Sequence, residues 1–387
     1  MRRETHRDPA ERFMRAAIRE AEAGLGRTSP NPAVGAVIVR DGRIIARGHH
    51  ERAGGPHAEV VALRAAGARA NGADLFTTLE PCDHFGKTPP CSRAILDAGV
   101  RRVFVGSRDP NPQVNGRGIA RLRRGGVEVI SGVARAACDR LNAPWFHYIV
   151  TGRPWVTLKA AITLDGRIAA PGGDARWVTG EEARAAVHVL RDRADAVLVG
   201  AGTARADDPL LTTRIPRGRD PVRVVLDSQL SLPRTLRLFH PDSPAPTLVA
   251  HVTGREPRFG PGVEALRCRA RGGQVALPDL LARLARRGIV HLLVEGGAEV
   301  HRSFLEEGLV DELVVHVAPK LLGGGVAWLD GLGFARSGRM ADALALHGVE
   351  VRHLGEDLEL RGYPGFRGPA RAVRSPSRTK ARTRRAR

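Results

Sequence analysis

The chain has 387 residues and a formal net charge of +20, and its length predicts two or three domains rather than one core. No apolar run is long enough to span a bilayer, and the basic N-terminus lacks the apolar core of a signal peptide, which excludes a membrane partner. The four cysteines are too few for a disulfide framework, so we expect a cytoplasmic protein.

The basic charge is concentrated at the C-terminus. Residues 366–387 hold nine Lys and Arg and no acidic residue, and they have no apolar periodicity. We therefore predict a disordered basic tail over residues 364–387. Aromatic residues make up 4% of the chain, too few for a base-stacking surface, so we expect no specific nucleic-acid partner.

Helical and strand patterns alternate through the first 150 residues. The apolar spacing predicts helices over Pro9–Ala23, His57–Ala70, Cys91–Ala98, Gly118–Arg124 and Val133–His147. It predicts strands over Ala33–Val39, Arg43–Arg47, Asp74–Leu79, Arg102–Val105 and Val127–Ile130. This alternation predicts an α/β domain whose sheet is covered on both faces, over residues 1–150.

A second α/β series follows Ile149–Pro154 and predicts another domain over residues 151–363. The predicted strands are Trp155–Ile162, Ala196–Val199, Val222–Leu226, Thr247–Ala250, Val290–Val294, Glu312–Val317 and Asp357–Leu360. The predicted helices are Glu181–Arg193, Asp279–Arg287 and Glu299–Glu307.

Four residues of the first domain form a candidate zinc site. His57, Cys82 and Cys91 supply the three ligands that a catalytic zinc needs, and Glu59 matches the proton shuttle of zinc deaminases. His57 and Cys91 each open a predicted helix, and the positive end of the helix dipole at Cys91 favours its thiolate. A structural zinc with His84 as the fourth ligand, or a metal-free pair of cysteines, are the alternatives.

The second domain carries no Gly-x-Gly-x-x-Gly after a first strand, so a Rossmann cofactor domain is not supported. Glycine-rich segments at residues 200–203, 296–298 and 323–325 follow predicted strands, where a phosphate can approach the backbone. Lys159 lies in an apolar strand, where its charge needs an acidic partner.

Several motifs resemble one family, the bifunctional riboflavin-biosynthesis deaminase–reductases. The cysteines are separated by eight residues, in Thr78-Leu79-Glu80-Pro81-Cys82-Asp83-His84-Phe85-Gly86-Lys87-Thr88-Pro89-Pro90-Cys91, where the general deaminase signature has two. Further matching segments are 30–35, 53–59, 109–114, 164–167, 206–212, 294–297, 310–313 and 318–323.

The resemblance implies a cytidine-deaminase-like three-layer domain followed by a dihydrofolate-reductase-like domain. It implies zinc-dependent deamination of 2,5-diamino-6-(5-phosphoribosylamino)pyrimidin-4-one, and then NADPH-dependent reduction of the ribosyl group of 5-amino-6-(5-phosphoribosylamino)uracil to ribityl. The implied partner is therefore a small phosphorylated pyrimidine. We also expect a homo-oligomer.

The resemblance also implies roles for individual residues. The implied catalytic residues are Glu59, Lys159 and Asp207, and the implied zinc ligands are His57, Cys82 and Cys91. Substrate contacts are implied for Asn31, His49, His84, Lys87, Ala175, Arg191, Leu211, Arg214 and Glu295. Cofactor contacts are implied for Ile162, Trp177, Thr203, Asp207, Ser228, Gly297, Ala298, Glu299, Val300, His301, Arg302 and Ser303.

Two other functions compete with this prediction. The first is a base or tRNA deaminase whose second domain has lost its reductase activity. The presence of Lys159, Asp207 and Glu295 argues against it. The second is a nucleic-acid-binding protein with a purely structural zinc. The sparse aromatic residues argue against that function.

Overall fold

The computed structural model describes residues 9–86, 88–240, 245–255, 257, 259–335 and 339–366. Lys87 and most of the predicted basic tail lie outside the described residues. No described helix combines the length and the apolar character that crossing a membrane requires.

The N-terminal region forms a five-stranded sheet with helices on both faces. Its strands are β1 (Gly35–Arg40), β2 (Arg43–His49), β3 (Asp74–Leu79), β4 (Arg102–Ser107) and β5 (Glu128–Ser131), in the order β2-β1-β3-β4-β5. The pairs β1/β2 and β1/β3 are antiparallel, and β3/β4 and β4/β5 are parallel. Its helices are α1 (Pro9–Glu22), α2 (Ala58–Ala66), α3 (Cys91–Asp97), α4 (Arg117–Arg124), α5 (Arg135–Leu141) and α6 (Ala143–Thr151).

The sheet separates two apolar cores, because alternate strand residues point to opposite faces. Val37 and Phe76 pack with α1 on one face, while Ile38 and Leu75 pack with α2, α3 and α4 on the other. This is the predicted three-layer arrangement.

The predicted helix over Val133–His147 is wrong in one respect, because the structure divides it into α5 and α6. The division falls at Asn142, whose buried side-chain amide accepts a hydrogen bond from Ala33 N at 2.9 Å and donates one to Ala33 O at 2.8 Å. The helix that follows has Pro144 in its first turn, where proline's missing N–H costs nothing.

The C-terminal region forms a nine-stranded sheet in the order β11-β10-β9-β8-β14-β6-β15-β18-β17. These strands are β6 (Trp155–Thr163), β8 (Ala196–Gly200), β9 (Val222–Leu226), β10 (Thr247–His251), β11 (Val263–Arg267), β14 (His291–Val294), β15 (Glu312–Ala318), β17 (Leu346–Leu354) and β18 (Asp357–Pro364). Two short hairpins pair β7 (Arg167–Ala169) with β16 (Val326–Ala327), and β12 (Ala270–Arg271) with β13 (Gln274–Val275).

The large sheet is parallel from β11 to β15. Strand β18 pairs antiparallel with β15, and β17 pairs antiparallel with β18. The helices are α7 (Glu181–Arg193), α8 (Ala201–Asp207), α9 (Leu277–Arg286) and α10 (Ala298–Glu306). Helices α9 and α10 pack on one face, and α7 and α8 pack on the other. The carboxyl ends of parallel strands in such a sheet form the usual ligand-binding crevice.

Contacts between the two regions involve α6 and α7. The Tyr148 hydroxyl on α6 donates to Ala285 O at 3.2 Å, and Arg27 forms an ion pair with Asp192 at 2.8 Å. Just after α6, Arg153 makes two hydrogen bonds to Asp311, at 2.7 and 2.8 Å. The segment that connects the two sheets is therefore held to the C-terminal region both before and after the end of α6.

Candidate active sites

Three side chains converge beyond the C-terminal end of β3, the central strand of the N-terminal sheet. His57 immediately precedes α2, Cys82 follows β3, and Cys91 is the first residue of α3. The His57 Nδ1 atom lies 3.1 Å from Cys91 Sγ and 3.6 Å from Cys82 Sγ, and all three donor atoms lie within 4.8 Å of one another. This compact set of one imidazole and two thiols fits zinc and leaves its fourth position open.

His84 does not belong to this cluster. Among the described residues, the only grouping of metal-donor side chains is His57, Cys82 and Cys91. The structural zinc with His84 as fourth ligand therefore has no support in the geometry. Instead, His84 lines the adjoining cavity.

The contacts between the two cysteines favour a thiolate at Cys82. The hydrogen bond from the Cys91 thiol is the largest effect on Cys82 and lowers the pKa of Cys82 to about 4. The same contact, together with burial, raises the pKa of Cys91. A thiolate at Cys82 is the protonation state that a metal ligand requires.

Glu59 lies in the first turn of α2 and is only 3% exposed. Its Oε2 atom lies 3.6 Å from Cys91 Sγ, yet the carboxylate is not one of the converging ligand atoms. Burial raises the pKa of Glu59, so this carboxyl group takes up a proton more readily than an exposed glutamate. That property suits a residue that accepts a proton and later returns it.

A cavity of about 390 Å³ opens beside these residues and is lined by Asn31, His50, Glu59 and His84. His49 does not line this cavity, whereas its neighbour His50 does, and the substrate contact of His49 stays a prediction. His50 Nε2 lies 3.1 Å from Asn31 Nδ2, and its Nδ1 lies 2.9 Å from Pro56 O. One step along extended backbone turns a side chain to the opposite face, so only one of two adjacent histidines can face the cavity.

The sequence prediction assigned no role to three other polar residues of this wall. Glu80, Asp109 and Asn111 all line the cavity, and Asp109 is 5% exposed. Burial raises the pKa of Asp109 to about 7. The Asp109-Pro110-Asn111-Pro112 segment was part of the resemblance and was the signal that could have identified two of them.

Gly118 at the start of α4 determines how closely this helix approaches the zinc ligands. A Cβ atom at residue 118 would lie 1.7 Å from Pro81 O, directly before Cys82. Gly118→Ala is therefore expected to displace Cys82, to lower the free energy of unfolding by about 1–3 kcal/mol and to weaken zinc binding. Thermal denaturation and zinc titration would measure both effects.

Gly260→Ala is the matched control, because a Cβ atom there meets nothing within 4 Å. Equal zinc affinities for the Gly118→Ala variant and the control would contradict the prediction.

A second and much larger cavity, of about 1950 Å³, lies at the carboxyl ends of β6, β8, β9 and β14. Most of the predicted reductase residues line it. They are Lys159, Ala175, Trp177, Arg191, Thr203, Asp207, Leu211, Arg214, Ser228, Glu295, Gly297, Ala298, Glu299, Val300, His301 and Ser303.

Two predicted cofactor residues, Ile162 and Arg302, do not line this cavity. Ile162 packs against the core on the α9 and α10 side of the sheet. Arg302 is an exposed residue of α10. Since successive helical residues point in different directions, a continuous run of seven residues cannot all face one ligand.

Arg191 and Glu295 form a buried ion pair in the wall of the second cavity. Two hydrogen bonds of 2.7 Å join the guanidinium to the carboxylate, and Arg191 Nη1 also donates to Thr212 O at 3.1 Å. Burial is the largest effect on Lys159 and lowers its pKa, while the nearby Glu295 carboxylate opposes that shift. Arg214 is exposed on the same wall, and its guanidinium is therefore better placed for a phosphate.

Two of the three glycine-rich segments meet in this cavity. Residues 200–203 lead into α8 and residues 296–298 lead into α10. A Cβ atom at Gly297 would lie 3.2 Å from Thr203 Oγ1, so the two helix starts are adjacent. The third segment, residues 323–325, does not line the cavity.

Comparison with known proteins covers both regions. Residues 7–107 match the cytidine and deoxycytidylate deaminase zinc-binding region, and residues 154–360 match the RibD C-terminal domain. The riboflavin biosynthesis protein RibD of Aquifex aeolicus is 44% identical over 353 residues, which cover 89% of this chain and 96% of the relative. The chain belongs to the RibD family.

Other RibD proteins show the same extended similarity. RibD of Actinobacillus pleuropneumoniae is 46% identical over 81% of this chain and 84% of its own length. A crystal structure of the diaminohydroxyphosphoribosylaminopyrimidine deaminase/5-amino-6-(5-phosphoribosylamino)uracil reductase from Thermotoga maritima matches with a TM-score of 0.84. It is 39% identical and covers 93% of this chain and 100% of that one. RibD of Acinetobacter baumannii matches with a TM-score of 0.81 and 38% identity over 92% of this chain and 99% of its own.

Membership of the RibD family defines the two activities. The chain is a bifunctional enzyme of riboflavin biosynthesis, with a zinc-binding deaminase domain and a reductase domain that uses NADPH. The predicted fold, cofactors and function are thereby confirmed. Relatives that match along both domains favour the bifunctional enzyme over a deaminase with an inactive second domain and over a nucleic-acid-binding protein.

Proposed function

We propose that this chain deaminates 2,5-diamino-6-(5-phosphoribosylamino)pyrimidin-4-one in the smaller cavity. It then reduces the ribosyl group of 5-amino-6-(5-phosphoribosylamino)uracil in the larger one. The observation that carries this proposal is the convergence of His57, Cys82 and Cys91 beside Glu59 in a cavity that also contains Asn31 and His50. We assign residues 1–150 to the deaminase and residues 151–363 to the reductase.

In the deaminase, His57, Cys82 and Cys91 would hold zinc, which makes water nucleophilic at neutral pH. Glu59 takes a proton from the attacking water and delivers it to the ring nitrogen. It then passes the remaining hydroxyl proton to the departing amine as the carbonyl forms, so that water enters and ammonia leaves. Asn31, His50 and His84 orient the pyrimidine ring. Lys87 retains its proposed substrate contact on the resemblance alone.

In the reductase, NADPH supplies the hydride that C1′ of the ribose receives once the sugar ring has opened. Lys159 gives a proton to the ring oxygen as the C1′–O bond breaks. Its lowered pKa makes that donation easier. Glu295 compensates part of the charge on Lys159. Asp207 lines the same cavity, and Arg214 binds the 5′-phosphate.

Supplying the diaminopyrimidinone substrate together with NADPH tests both activities in one reaction. Ammonia release reports the first step, and the decrease of NADPH absorbance reports the second. Ammonia release without NADPH oxidation would contradict the proposed substrate sequence.

Removal of the metal should separate the two reactions. We expect a chelator to abolish ammonia release but leave NADPH oxidation unchanged when the deaminated pyrimidine is supplied. The reason is that the ligand cluster lies in a different cavity from Lys159. Added zinc should restore ammonia release, and an equal loss of both activities would contradict independent sites.

Two further proposals concern the whole protein. We propose a cytoplasmic location, because zinc coordination needs Cys82 and Cys91 as free thiols and a reducing compartment preserves them. We also propose a homo-oligomer, since β17 is the outermost strand of the sheet and carries the exposed residues Val349 and Val351. Light scattering on the full-length chain would test the oligomer.

A further inference from the structure

The larger cavity has two chemically different ends. Lys159 belongs to β6 and Glu295 follows β14, and these neighbouring strands form one end, two strands away from β9. The other end, here called the hairpin end, is lined by Ser228, Arg271 and Val275, and by residues at the C-terminal end of α10. The adjacent starts of α8 and α10 are part of the same cavity wall.

This layout fixes the direction in which a dinucleotide lies. The backbone N–H groups at the start of α10 suit the pyrophosphate of the cofactor. The nicotinamide must lie near Lys159, where the reducible sugar binds, so the adenosine extends to the hairpin end. Val275 and Leu277 are 7% and 4% exposed and give that end an apolar wall suited to a planar base.

Six arginines line the cavity, and Arg237 and Arg271 are the two candidates for contact with the adenosine half. The guanidinium groups of Arg176, Arg184 and Arg191 contact Asp207, Trp177 and Glu295 respectively. The backbone N–H of Arg214 donates to His188, which places Arg214 near Arg191 and Glu295, away from the hairpin end. Arg237 is occupied by Asp208, through a hydrogen bond of 2.8 Å to its carbonyl and an ion pair of 3.3 Å with its carboxylate.

Arg271 is less constrained. Its side chain is 71% exposed, and its Nη1 atom forms an ion pair with Glu307 Oε2 at 3.2 Å. Glu307 directly follows α10, so this pair spans the mouth of the cavity from the hairpin to the helix. Most of the guanidinium donors therefore face solvent at the hairpin end.

The backbone around Arg271 is held firmly. Gly272 and Gly273 form the tip of the hairpin with φ values of 58° and 78°, which favour glycine at both central positions of a tight turn. The Val275 N–H donates to Ser228 Oγ at 3.1 Å, and Gln229 Nε2 donates to Gly273 O at 2.9 Å. The hairpin is thus fixed to the loop after β9, and Arg271 is presented beside Ser228.

We propose that Arg271 binds the 2′-phosphate of NADPH and thereby selects NADPH over NADH. A phosphate monoester carries close to two negative charges at neutral pH, and the planar guanidinium matches its oxygens with paired N–H donors. Glu307 holds the arginine across the cavity mouth until the phosphate takes its place. The inference rests on the proposed reductase function and adds the residue that gives it cofactor specificity.

Calorimetric titration with 2′,5′-ADP and 5′-AMP tests this assignment, because the two ligands differ only in the 2′-phosphate. Arg271→Gln is expected to raise the Kd for 2′,5′-ADP roughly 10- to 100-fold and to change the Kd for 5′-AMP less than about twofold. The KM for NADPH should rise by a similar factor, with no matching rise in the KM for NADH.

Arg269→Gln is the matched control. Arg269 precedes the same hairpin and is 82% exposed, but it pairs with Asp279 and does not line the cavity. This variant should bind both nucleotides like the parent protein, which separates loss of the specific contact from loss of positive charge.

Four outcomes would overturn the inference. If Arg271→Gln raised the Kd for 2′,5′-ADP and for 5′-AMP by the same factor, the arginine would only maintain the hairpin. A selective loss in Arg237→Gln, with none in Arg271→Gln, would assign the phosphate to Arg237. If the parent protein bound 2′,5′-ADP no more tightly than 5′-AMP, both the inference and the NADPH-dependent function would fail. If the parent protein bound 2′,5′-ADP selectively and Arg271→Gln did so equally well, only the role of Arg271 would be rejected, and the NADPH-dependent function would stand.

Discussion

Replacing Glu59 with glutamine is expected to slow ammonia release by about 10²–10⁴-fold while zinc remains bound. Glutamine keeps the size of the side chain but cannot accept a proton and return it. Since Glu59 is buried beside Cys91 and is not one of the converging metal donors, the substitution leaves the three proposed ligands in place. Single-turnover ammonia release and the zinc content of the purified variant measure the two effects.

The control for Glu59→Gln is the second reaction of the same protein. NADPH oxidation with the deaminated pyrimidine should be unchanged, because the reductase cavity does not include Glu59. Glu11→Gln, in the exposed first turn of α1, should affect neither reaction. Undiminished deamination by Glu59→Gln would reject the proton-transfer role, and loss of zinc would make Glu59 a metal-site residue instead.

Lys159→Met is expected to have the complementary effect, with NADPH oxidation slowed by about 10²-fold or more and ammonia release intact. Methionine keeps an unbranched side chain in the apolar strand but has no proton to donate. Glu295 retains its two hydrogen bonds from Arg191, so the variant leaves no unpaired buried carboxylate and should fold. Stopped-flow measurement of NADPH absorbance at saturating cofactor isolates the chemical step.

Binding and catalysis can be distinguished in this variant. The Kd for NADPH should change little, since the pyrophosphate and adenosine halves of the cofactor lie away from Lys159. A variant that oxidises NADPH at the parental rate would exclude Lys159 as the proton donor. A variant that has merely lost cofactor binding would make Lys159 a binding residue.

The deaminase site was predictable because its chemistry is encoded locally. The four residues of the site all lie between residues 57 and 91, and cysteine is rare in this chain, with four in 387 residues. The choice between His49 and His50 was not predictable in the same way. It depends on which way a side chain turns at the end of β2, and a one-residue error reverses that direction.

In the reductase site, prediction from the sequence failed for a different reason. The partnership of Arg191 with Glu295 joins residues 104 positions apart, and no local pattern indicates it. Strand β17 was missed because its residues are almost all exposed and show no apolar alternation. The main strands of the parallel sheet were predicted, because burial on both faces produces continuous apolar runs.

The strand order of the larger sheet has a consequence for synthesis on the ribosome. Strand β6 is made first but pairs with β14 and β15. Its residue Thr157 contacts His291 and Glu312, which lie 134 and 155 positions later. At translation rates of about 5–20 residues per second, this apolar strand waits roughly 8 to 30 s for its neighbours. The smaller sheet pairs strands that are close in sequence and can form during that interval, so the nascent chain is most exposed to aggregation, and most in need of chaperones, at β6.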